Sequence, residues 1–294
     1  MAFRTVIISS RAKLETRLNY LVIRGEKETK IFLNEIETLI VQSTAVSLTA
    51  ALLKDLANNN VKVIFCDEKG NPSSELLPYY GAHNTARRYR QQFEWKEDTK
   101  QKIWQRIVQK KISEQAKHLY DLDYPTQAQL LESYACAVLP NDSSNREGHA
   151  AKVYFNCLFD GNGNRHSGGY FNGCLNYGYA ILLSAFNREI VAAGYLTQLG
   201  IWHNNEFNSF NLACDLMEPL RITVDRIALG VDTEKQSFKK VLSAILARPA
   251  FFNGKQTTLD VAIGWYTRSV LNALEQNDPS SVTFIDKTVT ENEL

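Results

Sequence analysis

Short hydrophobic runs at the start of the chain give way, further on, to hydrophobic positions spaced by three and four residues. Up to about residue 80 the runs are rich in Val, Ile, Leu, Phe or Thr, and such runs are typical of strands. One amphipathic helix is predicted among them, from Ser47 to Ala57 with Ser47 as its cap. Strands are predicted at 5–9, 18–23, 30–33, 38–42 and 61–66, with a further possible strand at 76–77.

From about residue 84 the spacing is helical, beginning with a long segment from Asn84 to Lys117 in which Trp104, Val108 and Ile112 lie four residues apart. Further helices are predicted at 126–138, 145–158, 174–195, 211–228, 234–246 and 258–273. The pattern therefore predicts an α+β protein. Its β-rich N-terminal domain spans residues 1–80, a linker follows at 78–83, and a larger all-α C-terminal domain spans residues 84–294.

Composition limits the possible classes of protein. With 294 residues and 44% hydrophobic residues the chain can bury a large core, and a net charge of +1 argues against a wholly basic nucleic-acid coat. The five cysteines form no C-x-x-C pair, which favours reduced, buried cysteines and a cytoplasmic location. No segment is long and apolar enough for a membrane span, so we expect no membrane association.

The segment from residue 200 to residue 221 is a candidate cation site. His203 lies in a polar run, and Asp215 and Glu218 follow in a helical, leucine-rich pattern in which Pro219 should bend the helix. Imidazole and carboxylate ligands suit Mg²⁺ or Mn²⁺. The alternative is structural: the two acids pair with Arg221 or Arg226, and His203 caps a helix. Spacing alone leaves both interpretations open.

Glu147 has an ordinary structural explanation at this stage. It lies in the predicted first turn of the helix at 145–158, where the helix dipole favours a negative side chain. The local sequence therefore favours a structural role for Glu147.

Between Arg87 and Lys117, ten basic residues stand against four acidic ones. Such a stripe can hold a phosphate backbone without reading sequence, although charge runs are more often solvated helix faces. The candidate DNA-binding residues are Arg87, Arg88, Lys102, Arg106 and Lys110. The loop from Asp160 to Gly169 lacks the G-K-[ST] ending of a nucleotide-binding loop, which favours a plain connection.

Three stretches of the sequence together resemble the CRISPR-associated spacer-acquisition integrases, in the form found beside single-effector type II systems. They are the E-x-x-x-A-K-x-Y-F run from Glu147 to Phe155, the N-Y-G-Y run from Asn176 to Tyr179, and the block from Gly200 to Arg221. The resemblance spans the whole chain, including the order of a β-rich and then a helical domain.

The resemblance implies a set of site residues. Glu147, His203 and Glu218 correspond to the family's ligands for a divalent metal, Mg²⁺ or Mn²⁺, and Asp215 is a nearby carboxylate that assists. The last ligand is often aspartate in this family and is glutamate here. The direct ligand is therefore either Asp215 or Glu218, and we favour Glu218.

The resemblance also implies the reaction and its partners. The expected activity is metal-dependent integration, in which the 3′-hydroxyl ends of short double-stranded DNA are joined into CRISPR repeat DNA by transesterification. The expected assembly is a homodimer, paired through the 1–80 domain, with a small dimeric CRISPR-associated adaptation partner. The alternatives are a plain metal-dependent endonuclease and a non-enzymatic DNA-binding scaffold.

Overall fold

Strands dominate the chain before residue 80 and helices dominate it after residue 84, as the hydrophobic pattern predicts. The computed structural model describes residues 4–68, 72–78, 84–159, 169–231 and 237–288. Almost all of the predicted linker at 78–83 and of the loop at 160–169 lies outside these ranges. The β-rich part contains β1 (Arg4–Ile8), β2 (Ala12–Arg17), β3 (Tyr20–Arg24), β4 (Glu28–Phe32), β5 (Ile36–Val41), β6 (Val46–Leu48), α1 (Ala50–Asn58), β7 (Lys62–Cys66) and β8 (Pro72–Leu76).

These strands form two sheets of four. The first has the order β1-β5-β7-β8, in which β1, β5 and β7 are parallel and β8 is antiparallel to β7. The second has the order β4-β3-β2-β6. The meander β2-β3-β4 provides the crossover between the parallel strands β1 and β5, and α1 provides the one between β5 and β7.

The first sheet lies between two hydrophobic cores and contributes side chains to both. All six residues of β5 are buried, which is expected for a strand covered on both faces. Leu39 and Val63 pack into the core of the β-rich part, whereas their neighbours Ile40 and Ile64 pack into the core of the helical part. Because side chains alternate along a strand, one sheet can serve both cores and hold the two parts together.

The helical part surrounds a long, largely buried helix, α3. Its helices are α2 (Thr85–Phe93), α3 (Glu97–Asp121), α4 (Pro125–Cys136), α5 (Arg146–Leu158), α6 (Tyr170–Ala192), α7 (Asn211–Met217), α8 (Arg221–Gly230), α9 (Phe238–Ser243) and α10 (Leu259–Gln276). α3 contacts α4, α5, α8 and α10 as well as the short 3₁₀ turn Glu218–Leu220 between α7 and α8. This central helix therefore reaches the segments that carry the candidate site residues.

Two predictions about the helical part were wrong. It is not all-α, since β9 (Pro249–Phe252), β10 (Lys255–Thr258) and β11 (Lys287–Thr288) form a small antiparallel sheet. β9 and β10 are joined by Asn253 and Gly254, both at positive φ, which is a hairpin signal that the helical interpretation overlooked. The segment predicted as one helix from residue 84 to residue 117 is two, because Lys96 is extended between α2 and α3.

The β-rich part also corrects two details. Ser47 lies in β6, and the cap of α1 is Thr49, whose hydroxyl accepts a hydrogen bond from the Leu52 amide at 3.3 Å. β2 and β6 were not predicted, because each contains only two hydrophobic residues, which is too few for a clear strand signal.

All five cysteines are free, but they are not all buried, since Cys136 is exposed. No helix in the described ranges combines the length and the apolar character that a membrane crossing needs.

Candidate metal centre

Asp215 is fully buried in α7 and organises the loop that carries His203. Its Oδ2 accepts hydrogen bonds from the amides of Ile201 (2.6 Å) and Trp202 (3.0 Å). Its Oδ1 accepts from the amide of His203 (3.1 Å) and from the ring Nδ1 of the same residue (2.6 Å). A side chain at Gly200 would meet this carboxylate, because a Cβ there would lie 2.7 Å from Asp215 Oδ2. The carboxylate of Asp215 is thus engaged by one loop.

These hydrogen bonds fix the orientation of the His203 ring and influence its protonation. Because Asp215 accepts from Nδ1, that nitrogen carries a proton, and Nε2 is the ring nitrogen available to a ligand. Burial favours the neutral ring, but the hydrogen bond and the charge of Asp215 outweigh it and raise the pKa of His203. A carboxylate behind a histidine is the usual support for a histidine metal ligand.

Two asparagines of the segment 200–221 also stabilise the loop that carries His203. The side chain of buried Asn211 donates to the carbonyls of Gln198 (3.0 Å) and Asn205 (2.9 Å). Asn208 Oδ1 accepts from the amide of Phe210 at 2.9 Å. These asparagines stabilise the loop and add no acidic side chain to the candidate site.

Glu218 contacts α3, whereas Asp215 holds the loop of His203. Pro219 interrupts the helical pattern as predicted, so α7 ends at Met217 and Glu218 begins the 3₁₀ turn. Glu218 Oε2 lies 2.5 Å from Lys111 Nζ, and Oε1 lies 2.8 Å from Arg221 Nε. Burial opposes the ionisation of Glu218, but Arg221 and Lys111 overcome it and lower its pKa to about 2. Glu218 is therefore a carboxylate at neutral pH.

Glu147 approaches the same lysine from the first turn of α5. Asp142 caps this helix by accepting the amides of Arg146 (2.8 Å) and Glu147 (3.0 Å), whereas the side chain of Asn145 makes no capping hydrogen bond. Glu147 Oε1 lies 2.5 Å from Lys111 Nζ. The start of α5 thus places the carboxylate of Glu147 against Lys111.

Lys111 is the residue of this site that the sequence interpretation missed. Its side chain is 10% exposed, and its ammonium bridges Glu147 and Glu218, which belong to different elements. Burial favours the neutral amine, but the two carboxylates outweigh it and raise the pKa of Lys111. The oxygens of these two carboxylates thus converge on one positive charge, and oxygen ligands are the kind that Mg²⁺ and Mn²⁺ prefer.

The structure brings only part of the predicted ligand set together. Among the described residues, no group of three or more His, Cys, Asp and Glu side chains is arranged so that it could hold a metal ion as it stands. The charges of Glu218 and Glu147 nevertheless reach His203, where both contribute to its raised pKa. Glu147 and Glu218 thus share one cation, and His203 stands within electrostatic reach of them.

The structural alternative, in which the two acids form salt bridges with Arg221 or Arg226, agrees with the structure in part. Glu218 pairs with Arg221 as that hypothesis expects, whereas Arg226 pairs with Asp121 of α3. Asp215 pairs with neither arginine in the ion pairs of the described residues and instead holds the loop of His203.

An aromatic wall and an open cleft lie beside His203. Trp202 stacks on buried Trp104 with ring centroids 5.0 Å apart, and the His203 ring meets both edge-on. Trp202 is 43% exposed. The cleft has a volume of about 430 Å³, and Lys100, Asn141, Trp202 and His203 are among its lining residues. His203 is therefore accessible to a ligand from solvent.

The five candidate DNA-binding residues divide into two groups. Arg88 pairs with Glu275 and donates to Tyr195 Oη at 3.1 Å, and Arg106 donates to the carbonyls of Pro279 and Val282. These two arginines hold parts of the chain together. The other three are Arg87, which is exposed, Lys102, which pairs with Asp98 at 2.7 Å, and Lys110, which pairs with Glu114 at 2.9 Å.

Comparison with known proteins gives consistent results. The family profile for CRISPR associated protein Cas1 matches residues 5–245. The CRISPR-associated endonuclease Cas1 of Neisseria meningitidis serogroup C is 35% identical over 227 residues, covering 76% of this chain and 74% of that protein.

Two solved structures share the fold. A Cas6-RT-Cas1--Cas2 complex matches with a TM-score of 0.75 and 20% identity, covering 95% of this chain and 36% of that longer chain. A casposase bound to its integration product matches with a TM-score of 0.72 and 17% identity, covering 99% of this chain and 97% of that chain.

Together with a β-rich part followed by a helical part that carries an acidic site, these matches place the chain in a class of proteins whose curated relatives are named CRISPR-associated endonucleases. Within that class, the chain belongs to the Cas1 family of CRISPR-associated proteins.

Proposed function

We propose that this protein is a metal-dependent DNA integrase of CRISPR adaptation, which joins the 3′-hydroxyl ends of short DNA fragments into the CRISPR repeat array by transesterification. The observation that supports this most directly is the convergence of Glu147 and Glu218 on one cation, Lys111 Nζ, at 2.5 Å each. The two carboxylates come from separate elements of the fold. Such convergence of a buried and a partly buried acid near an accessible histidine is typical of a cation-dependent catalytic site.

Each site residue has a defined task in this proposal. Glu147, His203 and Glu218 would hold Mg²⁺ or Mn²⁺, which when bound supplies a Lewis acid for the phosphodiester. Asp215 is a positioning residue, since its carboxylate is engaged by the His203 loop and keeps the proton on Nδ1. Arg221 keeps Glu218 ionised from the side opposite to Lys111. The direct ligand is then Glu218 and not Asp215.

The partners follow from the family and the fold. The proposed substrates are double-stranded DNA with 3′ ends and CRISPR repeat DNA. One solved structure with this fold is a complex that contains Cas2, so we propose that this chain works as a homodimer with a small dimeric adaptation partner of that kind. The domain at 1–80 is the proposed dimer surface, and β4 and β6 are the outer strands of its second sheet. Arg87, Lys102 and Lys110 remain the candidates for DNA contact.

A strand-transfer assay with Glu147→Ala tests the proposal. Wild type should join a 3′-hydroxyl duplex to a supercoiled target in Mn²⁺ but not in chelator, and addition of the partner should promote joining. The variant lacks one of the proposed metal ligands, so its rate of strand joining should fall by about a thousandfold or more. It should keep most of its affinity for DNA. Glu132→Ala is the matched control, because Glu132 is an exposed acid on α4 that accepts a hydrogen bond from Tyr120. Joining by Glu147→Ala at the wild-type rate would refute the assignment.

The same assay separates the two alternatives. A plain metal-dependent endonuclease uses water in place of the 3′-hydroxyl and yields fragments without joined products. A non-enzymatic scaffold yields neither product and binds no Mn²⁺. The scaffold hypothesis is favoured by the pairing of Glu218 with Lys111 and Arg221, which already balances its charge.

A further inference from the structure

The carboxylates of the candidate metal centre are already neutralised by the protein itself. Two acids, Glu147 and Glu218, face two bases, Lys111 and Arg221, and the side chain of Glu218 is only 5% exposed. A divalent cation added to this arrangement would bring two further positive charges close to the Lys111 ammonium in a poorly solvated place. Like charges repel strongly under these conditions, so the metal and the ammonium cannot share both carboxylates.

We infer that Lys111 is a built-in competitor of the divalent cation: it holds Glu147 and Glu218 together in the metal-free protein and must leave at least one of them when the metal binds. This inference rests on the proposed metal site. Lys111 acts on the reaction through the metal ligands, so it is a positioning residue and not a catalytic one.

Of the two bases, Lys111 is the one that can move. Arg221 is 26% exposed at its side chain, lies over the Tyr179 ring at 4.7 Å, and contacts the other oxygen of Glu218. It can therefore stay paired while the metal takes Oε2. The lysine has a flexible four-carbon stem that ends in a compact charge, which can swing without losing the backbone position of α3.

The displaced ammonium needs a new anionic partner, and a DNA phosphate would supply one. DNA that accepts Lys111 would make metal binding easier, and by reciprocity the metal would make DNA binding at the site easier. Lys111 therefore couples metal binding to DNA binding, so that the site binds its metal most tightly when the DNA substrate is present.

Mn²⁺ titration of the full chain, with free Mn²⁺ measured by electron paramagnetic resonance, tests the inference without relying on activity. Lys111→Met and Lys111→Gln remove the charge, and Gln keeps hydrogen-bond donors for the carboxylates. Both should bind Mn²⁺ about tenfold more tightly than wild type, because a repelling charge is gone. Lys117→Met is the matched control on the same helix, since Lys117 pairs with Glu114 and is 60% exposed. Its Mn²⁺ affinity should equal that of wild type.

Adding the 3′-hydroxyl duplex gives a second comparison. DNA should raise the Mn²⁺ affinity of wild type by a larger factor than that of Lys111→Met, because only wild type has an ammonium for the phosphate to attract. Equal factors in the two proteins would contradict the coupling.

The failures of the inference and of the proposed function are distinguishable. If Glu147→Ala abolishes Mn²⁺ binding but the Lys111 variants bind no more tightly than wild type, the inference is wrong and the metal site stands. If Glu147→Ala and wild type bind Mn²⁺ equally, the metal site itself is wrong. Should both Lys111 variants fail to fold, a crystal structure of Mn²⁺-bound wild type decides, because an ammonium still bonded to both carboxylates overturns the inference.

Discussion

The candidate metal centre and a second buried ion cluster use similar residues for different ends. The second cluster, here called the junction cluster, consists of Glu37, Lys62, Arg188 and Asp260. Asp260 accepts from Lys62 at 3.1 Å and from Arg188 at 2.6 Å. These residues lie on β5, β7, α6 and α10, so the cluster joins the β-rich part to the helical part.

The arrangement of the charges separates the two clusters. In the junction cluster the carboxylate of Asp260 lies between two cations, Lys62 and Arg188, and the side chains of Lys62 and Asp260 are 1% and 8% exposed. Arg188 also pairs with Glu189 at 2.9 Å. In the candidate metal centre one ammonium, that of Lys111, satisfies two carboxylates, and an accessible histidine stands near them. In the candidate metal centre two carboxylates converge on one movable ammonium whose place suits a metal, whereas in the junction cluster the carboxylate is at the centre and the cations lie around it. Perturbed pKa values occur in both clusters and do not separate them.

The largest effect should come from Asp260→Ala, which breaks the junction cluster. Removing this carboxylate takes away the ion-pair partner of buried Lys62 and one of the two partners of Arg188, which keeps Glu189. A broken buried ion pair costs about 3–5 kcal/mol. Urea unfolding should show a loss of this size, and Mn²⁺ should not restore the stability because no metal binds there.

Asp98→Ala is the matched control for this prediction. Both acids lie in the first turn of a helix and pair with a lysine, but the side chain of Asp98 is 75% exposed. Its removal should cost only about 0.2–1 kcal/mol. A loss from Asp260→Ala no larger than that from Asp98→Ala would show that the junction cluster does not stabilise the fold.

A smaller effect should follow from Asp215→Asn, which disturbs the support of His203 without removing a proposed ligand. The amide cannot accept all four hydrogen bonds that the carboxylate accepts, so the ring loses its fixed orientation. Loss of such support costs about 10- to 100-fold in metal affinity. Mn²⁺ titration should show a decrease in this range, with a smaller decrease than in Glu218→Ala. Complete loss of Mn²⁺ binding in a folded Asp215→Asn protein would make Asp215 the direct ligand.

The sequence predicted the broad architecture because it depends on local periodicity. The change from strand spacing to helical spacing near residue 80 is present in the structure, and Pro219 interrupts its helix as expected. The small sheet around Asn253 and Gly254 was missed although its turn signal is present, because residues 247–257 were left as a connection between two predicted helices.

The candidate site was less accessible to prediction because its contacts join distant segments. Glu147 is paired with Lys111, 36 residues earlier, and nothing in the first turn of α5 indicates that partner. One signal did exist, since Lys111 falls at a buried position of α3 between Val108 and Ile112. Spacing also placed Asp215 and Glu218 on one face, and the 3₁₀ turn at Pro219 sends them toward different partners.

The last expected effect is a change in the pH dependence of stability through Glu37 of the junction cluster. Burial and the neighbouring Asp260 raise the pKa of Glu37 from 4.5 to about 8. The folded protein therefore binds one more proton than the unfolded chain between these pH values, and its stability should fall as the pH rises through them. Glu37→Gln keeps the neutral form at every pH and should flatten this fall. Urea unfolding at several pH values between about 5 and 8 measures the difference from wild type.

Glu35→Gln is the matched control for the pH effect, because Glu35 is two residues away and is 37% exposed in its pair with Arg4. It should keep the slope of wild type. If Glu37→Gln also keeps that slope, then Glu37 is ionised in the folded protein, and the junction cluster has as many acids as bases. Ionised acids would then be paired with bases in both clusters, and access from the cleft beside His203 would be the main difference between the candidate metal centre and a structural cluster.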